Sequence, residues 1–319
     1  MRPGAAAKRA AALGLAGLLA WVAGASLGAA PSGPRAAAAP SFLQVGRAHA
    51  EFTPVLDGSE PIFVVFIGSD ARPGQAVDGE RADSIHLVGI DPAKGRASIL
   101  GFPRDSWVEI PGYGTDKINA SMVYGGPEAV VATVEALTGI TVDYWALASF
   151  EGFQAMVNDV GGLVVDVPYP MSDPYARTNF EPGPQRLHGH DALAFARDRH
   201  SPASGDFGRS ENQGRLILAA LAQFRKEFAK DPSRLLTWVA AGLRHVQTDL
   251  GIREVLDLAF TASRINPKRV ENMVVPGSTG MEGGQSVVFL SSAAIPIYRD
   301  MADDGFVSKA NVPPSPELG

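Results

Sequence analysis

The sequence IFVVFI at residues 62–67 is followed directly by Gly68, Ser69 and Asp70. A strand that is covered on both faces is apolar without alternation, because neither face contacts water. A glycine followed by polar residues is typical of the turn that ends such a strand. The segment therefore predicts a buried strand in a layered domain, with Asp70 just beyond the end of the strand.

Strand and helix patterns alternate after this segment. The predicted strands cover residues 84–91, 97–102, 144–148, 163–167, 273–275 and 286–289. The predicted helices cover residues 126–139, 151–160, 189–197, 209–228, 232–245, 252–264 and 291–301. Four prolines within residues 168–183 predict a loop. This alternation indicates one α/β domain built around a layered sheet.

The composition is that of a globular protein. Of 319 residues, 45% are apolar and 19% charged, so the chain can bury a large core and is too apolar to be disordered. The net charge of −6 argues against nucleic-acid binding, which requires a basic surface. Cysteine is absent from the sequence, which excludes disulfides, thiol nucleophiles and thiolate metal sites.

The amino terminus has the pattern of an export signal, for which a buried Ala-rich helix is the alternative interpretation. Residues 10–30, AAALGLAGLLAWVAGASLGAA, contain no charge over 21 positions and follow Arg2, Lys8 and Arg9. The length fits a transmembrane anchor, whereas the small residues at its end fit a cleaved signal peptide. The positive-inside rule keeps residues 1–9 in the cytoplasm and places the rest outside the cell. We thus predict a single-pass protein of the cell membrane with an extracytoplasmic C-terminal domain, or a secreted protein if the signal is cleaved.

The composition also predicts the domain boundaries. Residues 31–50 are rich in Ala and Pro and predict a linker that leads into an extracytoplasmic domain at residues 51–307. Three prolines follow Val307. Residues 308–319 are therefore predicted to form a flexible tail.

Two clusters of charged residues lie at the ends of the first predicted strands. Asp70 follows the first strand, Arg81 and Asp83 precede the second, and Arg104 and Asp105 follow the third. Ligands of open α/β sheets gather at the carboxyl ends of strands, and two carboxylates on adjacent loops suit Mg²⁺. The alternative is that these side chains cap turns and pair with one another.

The densest charged cluster lies between two predicted helices. It contains Arg197, Arg199, His200, Asp206, Arg209 and Gln213. The planar guanidinium group matches phosphate oxygens, so several convergent arginines around a cation form a site for a pyrophosphate group. The alternative interpretation is a solvated surface segment.

Other motifs of known chemistry lack the context that they need. The tripeptide Asp206-Phe207-Gly208 occurs in kinases, but no glycine-rich loop, strand lysine or His-Arg-Asp sequence precedes it. The sequence contains no nucleotide-binding glycine motif, no H-E-x-x-H zinc motif and no G-x-S-x-G nucleophile motif. Kinase, zinc-hydrolase and serine-hydrolase chemistry are therefore not indicated.

The ordered motifs resemble those of the LytR-CpsA-Psr family. They are Gly68-Ser69-Asp70, Arg81-Ala-Asp83-Ser, Gly101-Phe-Pro103-Arg104-Asp105-Ser, Asp116-Lys117-Ile-Asn119-Ala, Gly125-Gly-Pro-Glu128, Phe195-Ala-Arg197-Asp-Arg199-His200 and Gly205-Asp206-Phe-Gly-Arg209. The resemblance implies an α/β/α layered domain with a central mixed sheet and a hydrophobic lipid tunnel, preceded by a membrane anchor. It further implies a phosphotransferase that moves a glycopolymer, of the teichoic acid, capsule or arabinogalactan type, from a polyprenyl-pyrophosphate carrier to peptidoglycan.

The resemblance also implies roles for individual residues of the domain. Asp70 and Asp83 match the positions that hold Mg²⁺, for which Mn²⁺ is the alternative cation. The expected catalytic residues are Arg104, Arg197, Arg199, Asp206 and Arg209. The residues expected to bind the pyrophosphate or lipid head group are Arg81, Lys117 and Gln213.

Three questions stay open at the level of sequence. The apolar face of helix 209–228 fits either an ordinary core or the wall of the tunnel. Either Asp105 or Asp206 suits the proton acceptor of the reaction. The alternative functions are a pyrophosphatase of polyprenyl-diphosphate lipids, with water as acceptor, and a non-catalytic binder of wall polymer or lipid.

Overall fold

The computed structural model describes residues 43–48, 60–72, 74–248 and 250–316. The strands, in chain order, are β1 (Leu43–Arg47), β2 (Ile62–Ser69), β3 (Ala82–Asp91), β4 (Arg96–Gly101), β5 (Trp107–Ile110), β6 (Gly114–Lys117), β7 (Tyr144–Ser149), β8 (Leu163–Val167), β9 (Gly183–Leu187), β10 (Val246–Thr248), β11 (Val270–Val274), β12 (Gly277–Glu282) and β13 (Gln285–Leu290). The helices are α1 (Ala120–Thr138), α2 (Phe150–Asp159), α3 (Gly189–Arg197), α4 (Asp206–Lys230), α5 (Arg234–His245), α6 (Ile252–Arg264) and α7 (Ala294–Asp304).

A seven-stranded mixed sheet forms the centre of the described domain, in the order β10-β1-β7-β2-β3-β4-β11. Strand β2 runs antiparallel to β3 and parallel to β7. Helices α1 and α7 cover one face of the sheet, whereas α2, α4, α5 and α6 lie on the other. The predicted α/β layered domain with a mixed central sheet is therefore confirmed.

The residues of β2 alternate between two different environments. Phe63, Val65 and Ile67 belong to the main hydrophobic core, which includes residues of α1 and α7. Val64 and Phe66 point to the opposite face, where they line a cavity beneath the other helices. Both faces are thus shielded from solvent, which explains the uninterrupted apolar sequence of this strand.

The polar ends of several strands meet at one edge of the sheet. Ser69 at the end of β2 pairs with Ala82 at the start of antiparallel β3, and Gly101 at the end of β4 pairs with His86. The same end of β2 pairs with the end of parallel β7. This register brings the segments that follow β2, β4 and β7 next to the segment that precedes β3.

Several elements differ from the sequence predictions. Strand β1 lies within the predicted linker 31–50, where it pairs with β7. The hairpins β5–β6, β8–β9 and β12–β13 contain strands that were not predicted, because short polar sequences such as GTDK in β6 lack apolar alternation. Helix α1 begins at Ala120, six residues early, and breaks at Gly125 and Gly126 before it continues from Pro127.

The two ends of the chain also bear on the predictions. Residues 308–316 fall in the predicted flexible tail, yet they are tied to the domain by hydrogen bonds from Asn311 Nδ2 to Asp300 Oδ2 (2.9 Å) and from Ser315 Oγ to Glu211 Oε2 (2.8 Å). The predicted anchor or signal at residues 10–30 lies outside the described residues. Among the residues that are described, no helix combines the length and apolarity needed to cross a bilayer.

Candidate active site

Eight of the predicted site residues come from five segments that meet at the polar edge of the sheet. Asp70 follows β2, Asp83 lies at the start of β3, and Arg104 follows β4. Helices α3 and α4 supply the rest of the cluster from the other side of the sheet edge. These residues are Arg197 at the end of α3, Arg199 in the loop after it, and Asp206, Arg209 and Gln213 in the first two turns of α4.

Ion pairs and hydrogen bonds connect these segments. Arg104 Nη1 donates to Asp83 Oδ1, and Arg209 Nη2 donates to Asp206 Oδ1. Gln213 Nε2 donates to the backbone oxygens of Asp83 (3.2 Å) and Ala196 (3.1 Å). Gln213 therefore ties β3 to the end of α3, which carries the neighbouring Arg197.

The cluster holds one buried guanidinium group, that of Arg209, close to the partly buried guanidinium of Arg104. Arg209 is only 5% exposed, and burial together with the positive charge of Arg104 lowers its pKa, although Asp206 acts in the opposite direction. Burial also opposes the charge of Arg104, but the carboxylate of Asp83 outweighs it and raises the pKa of Arg104. Each of these two cations is paired with one carboxylate, and Arg197 and Arg199 add positive charge beside them, so the cluster suits a bound anion.

Several buried polar atoms of the cluster have no hydrogen-bond partner among the described residues. They are Asp70 Oδ1, Arg104 Nε, Asp206 Oδ2 and Arg209 Nε. Buried polar groups of folded proteins are nearly always satisfied, so orphaned atoms gathered at one place mark a site that water or a ligand completes. The free nitrogens suit an anion, and the free carboxylate oxygens suit a cation.

The carboxylates of this cluster fit a magnesium ion. Burial and the negative charges of Asp83 and Glu80 raise the pKa of Asp70. A bound cation would relieve this unfavourable environment. Within the described ranges, no three acidic or histidine side chains form a ligand set. Mg²⁺ accepts such a site, because it is commonly held by one or two carboxylates with water and phosphate oxygens as the other ligands.

An apolar cavity opens beside the charged cluster. Its volume is about 1050 Å³, at the upper end of the range of small-molecule sites. One wall is the sheet face that carries Val64 and Phe66, and the other is formed by helices on that side. Six predicted site residues line the polar end: Asp83, Arg104, Arg197, Arg199, Arg209 and Gln213.

The cavity also bears on the apolar face of α4. Leu216, Ile217, Leu221 and Phe224 line it. Leu218 does not line it, but packs together with Ile217 and Leu221 against a hydrophobic cluster beside the cavity. The apolar face of α4 therefore lines the cavity with most of its residues, and the rest of the face packs in the hydrophobic core.

The other predicted site residues do not line the cavity. Asp70 and Asp206 lie beside it, where their charges act on Arg104 and Arg209. Arg81 is exposed, and its backbone oxygen accepts a hydrogen bond from Asp70 N (3.2 Å). Lys117 on β6 forms an ion pair with Asp105 (3.2 Å). This ion pair with Asp105 connects Lys117 to the cluster.

Sequence reasoning missed several residues at the mouth of the cavity. Ser84, Asp173 and Tyr175 line it, as does His200, which was part of a predicted cluster without a role. Asp173 and Tyr175 lie in the loop predicted from its prolines, and nothing in that sequence indicates which way the loop folds. Behind Ser84, the fully buried His86 joins β3 to α4 through Nε2 and the backbone oxygen of Ser210 (3.0 Å).

Comparison with known proteins agrees with the fold and the motifs. The Bacillus subtilis (strain 168) protein named polyisoprenyl-teichoic acid–peptidoglycan teichoic acid transferase TagV is 31% identical over 227 residues, which cover 69% of this chain and 57% of TagV. The chain spans little more than half the length of the curated relatives first matched.

Solved structures share the architecture. The crystal structure of B. subtilis TagV matches with a TM-score of 0.66 and 28% identity, over 77% of this chain and 97% of that chain. TagT, solved with bound octaprenyl pyrophosphate lipid, matches in fold with a TM-score of 0.60 and 23% identity, over 81% of this chain and 95% of that chain. The profile of the LytR_cpsA_psr family matches residues 37–299, which is most of the sequence. The chain therefore belongs to the LytR_cpsA_psr family, as the motifs of its sequence indicate.

Proposed function

We propose that this protein transfers a glycopolymer from a polyprenyl-pyrophosphate carrier to peptidoglycan. The observation that carries the proposal is the position of four arginines, Arg104, Arg197, Arg199 and Arg209, at the polar end of an apolar cavity of about 1050 Å³. The similarity to TagV, which is named as a transferase of polyisoprenyl-linked teichoic acid to peptidoglycan, supports the same substrate class. Teichoic acid, capsular polysaccharide and arabinogalactan are the glycopolymer types that fit this class.

The shape and charge of the site suit an amphiphile with a diphosphate head. Guanidinium groups pair with phosphate oxygens through two parallel hydrogen bonds, and Arg104 and Arg209 are buried enough for such bonds to be strong. The apolar walls behind them suit a polyprenyl chain, whose transfer from water is favourable in proportion to the area that it buries. A soluble nucleotide would leave these walls without a partner.

The reaction is a displacement at phosphorus. The oxygen of an acceptor hydroxyl attacks the phosphorus that bears the glycan, the bond from this phosphorus to the bridging oxygen breaks, and polyprenyl phosphate leaves. The product is a phosphodiester between the acceptor and the glycan. Arg104 and Arg209 offset the charge that grows on the leaving phosphate, and positioning by the four arginines supplies the rest.

Asp70 and Asp83 would hold Mg²⁺ at this site. When bound, the ion neutralises diphosphate charge and orients its oxygens. Asp105 and Asp206 are the candidates for accepting the proton of the attacking hydroxyl, and both carboxylates act electrostatically on Arg104. Separate substitution of each by Asn distinguishes them, because loss of the proton acceptor changes the pH profile of the rate.

The proposed site of action is outside the cell. Residues 10–30 would anchor the chain in the membrane, or direct its secretion if they are cleaved. A membrane-anchored enzyme would meet its carrier lipid in the same bilayer and its peptidoglycan acceptor next to it. Accessibility of an epitope at the C-terminus to protease added to intact cells would test this topology.

Reconstitution tests the activity directly. The full-length chain in lipid nanodiscs is incubated with a polyprenyl-diphosphate glycan, peptidoglycan fragments and Mg²⁺, and products are identified by mass spectrometry. We expect polyprenyl phosphate and an acceptor–phosphate–glycan product that forms only when acceptor and Mg²⁺ are present. Hydrolysis at the same rate without acceptor would indicate a pyrophosphatase, and binding without turnover would indicate a binding protein. Either outcome contradicts the proposal.

A matched pair of arginine variants links the product to the site. Arg104→Ala should abolish transfer. Arg253→Ala should not, because Arg253 has a side chain that is 72% exposed and does not line the cavity.

A further inference from the structure

An exposed aromatic residue stands at the mouth of the cavity. Tyr175 lies in the loop between β8 and β9 and is 82% exposed, although it lines the cavity together with Arg197 and Arg199. The ring of His200 lies against it, with ring centroids 5.1 Å apart and an angle of 41° between the planes. The two rings form a tilted pair beside Arg197 and Arg199, and the tyrosine ring of this pair is exposed to solvent.

A buried carboxylate holds this aromatic pair in place. Asp173 is 1% exposed, and its side chain accepts hydrogen bonds from Tyr175 N (2.8 Å) and from His200 Nδ1 (2.7 Å). These bonds overcome the effect of burial and lower the pKa of Asp173 to about 2, so the group is ionised at neutral pH. Because His200 Nδ1 donates to Asp173, the opposite ring nitrogen, Nε2, is left to face a ligand.

The rest of the loop is equally ordered. The hydroxyl of Thr178 donates to Asp198 Oδ2 (2.6 Å), and a bridge joins Met171 to Phe180. Arg177 adopts a φ of 63°, the one positive φ of a residue other than glycine in the part of the chain that the structure describes. Such backbone is strained and persists where the surroundings impose it, commonly at functional sites.

These features distinguish Tyr175 from an ordinary surface aromatic residue. A tyrosine that is 82% exposed gains little from burial, yet the loop that carries it is held by hydrogen bonds to the buried carboxylate of Asp173 and keeps a strained residue, Arg177. A rigid aromatic surface with a hydrogen-bonding edge suits a ligand that has one apolar face and a polar rim. A pyranose ring has this character, since its C–H bonds form a flat apolar face and its hydroxyls surround it.

We propose that Tyr175 and His200 form a subsite for the sugar of the donor glycan that is bonded to the diphosphate. This inference rests on the proposed function and names the part of the site that recognises carbohydrate. The sugar next to the diphosphate is one bond from the group that the arginines bind, and Arg199 and His200 are adjacent in the chain. The sugar ring stacks on Tyr175, and His200 Nε2 forms a hydrogen bond with a sugar hydroxyl.

Two lipids that differ by one sugar test the subsite. The full-length chain in nanodiscs is titrated with polyprenyl diphosphate and with polyprenyl-diphospho-N-acetylglucosamine of the same prenyl length. We expect wild type to bind the sugar-bearing lipid more tightly. Tyr175→Ala should weaken binding of that lipid by about two- to tenfold and leave binding of polyprenyl diphosphate unchanged within about twofold. Tyr175→Phe, which keeps the ring, should bind both lipids as wild type does.

Each other outcome overturns the inference in a recognisable way. Equal binding of the two lipids by wild type, or an equal loss of both in Tyr175→Ala, excludes a sugar contact at this residue. If Tyr175→Ala weakens only a free N-acetylglucosamine–N-acetylmuramic acid disaccharide, the ring belongs to the acceptor and the donor assignment is wrong. If wild type binds neither lipid, the proposed function itself fails and the subsite fails with it. Because Tyr175 is exposed, its variants should melt as wild type does.

Discussion

The buried histidine behind the site leads to a prediction about acid stability. His86 is fully buried on β3 between the sheet and α4, and its ring bridges two polar groups. Burial lowers the pKa of His86, so the native protein contains this histidine in its neutral form at neutral pH. A carbonyl oxygen only accepts, so Nε2 donates to Ser210 O, and Nδ1 of the neutral ring accepts from the hydroxyl of Ser84. Protonation would place an unpaired charge in the interior and loosen the first turn of α4, which carries Arg209.

The size of the effect follows from the change in pKa. Burial lowers the pKa of His86 from 6.5 to about 4. Between these values the unfolded chain binds a proton that the native protein does not, so stability falls as the pH falls from about 6.5 to about 4. The full difference corresponds to about 3 kcal/mol, of which about 2 kcal/mol is lost by pH 5.

Urea denaturation at pH 7, 6 and 5 measures this contribution. His86→Gln keeps a side-chain donor for Ser210 O but does not titrate, and every other titratable group is common to both proteins. We expect the free energy of unfolding of wild type to fall by about 2 kcal/mol more than that of His86→Gln between pH 7 and pH 5. His190→Gln is the control, because the side chain of His190 is 65% exposed, and it should follow wild type. Equal pH dependence in wild type and His86→Gln would refute the reasoning.

Three further predictions concern the cluster and the cavity. Arg104→Ala should lower the rate of polyprenyl phosphate release, measured by chromatography of the lipid products, by at least about 100-fold, because the partly buried donor that offsets charge on the leaving group is lost. A loss of less than about tenfold would contradict this role for Arg104. Leu221→Trp should fill part of the cavity and abolish the rise in melting temperature that polyprenyl diphosphate produces, whereas an undiminished rise would place the lipid elsewhere. The affinity for Mg²⁺, measured by calorimetry, should weaken as the pH falls through a range above the ordinary aspartate pKa. The reason is that the raised pKa of Asp70 allows protons to compete with Mg²⁺ for its carboxylate at a higher pH than usual. Asp70→Asn should remove most of this pH dependence, and a dependence that survives the substitution would point to another ligand.

The centre of the fold could be predicted from sequence because its strands are covered on both faces. The run IFVVFI indicated β2 by its apolar continuity, and β3 and β4 were found at nearly their observed bounds. The hairpin strand β9, GPQRL, could not be predicted, since its residues have low strand propensity and it is held by pairing with β8. The early start of α1 was missed because Gly125 and Gly126 look like the beginning of a helix rather than a break within one.

The site was predictable to the extent that the sheet edge determines it. Asp83, Arg104 and Arg209 come together because β3, β4 and α4 place them at the same edge, and the positions of residues at strand ends are visible in the sequence. Tyr175 was not predictable in the same way. Its position depends on Asp173, whose ring-binding partner His200 lies 27 residues further along the chain. No local pattern encodes a contact of this range.

One face of the sheet contributes mainly to stability, and the other lines the cavity. On one face, Phe63 and Val65 join a continuous core with α1 and α7, which holds the sheet together whether or not a ligand is bound. On the other face, Val64 and Phe66 border a cavity of about 1050 Å³, so the helices there do not pack closely against the sheet. A domain can keep such a cavity only if the opposite face supplies the missing stability. The alternation of β2 between these two environments is therefore what allows one strand both to support the fold and to line the binding site.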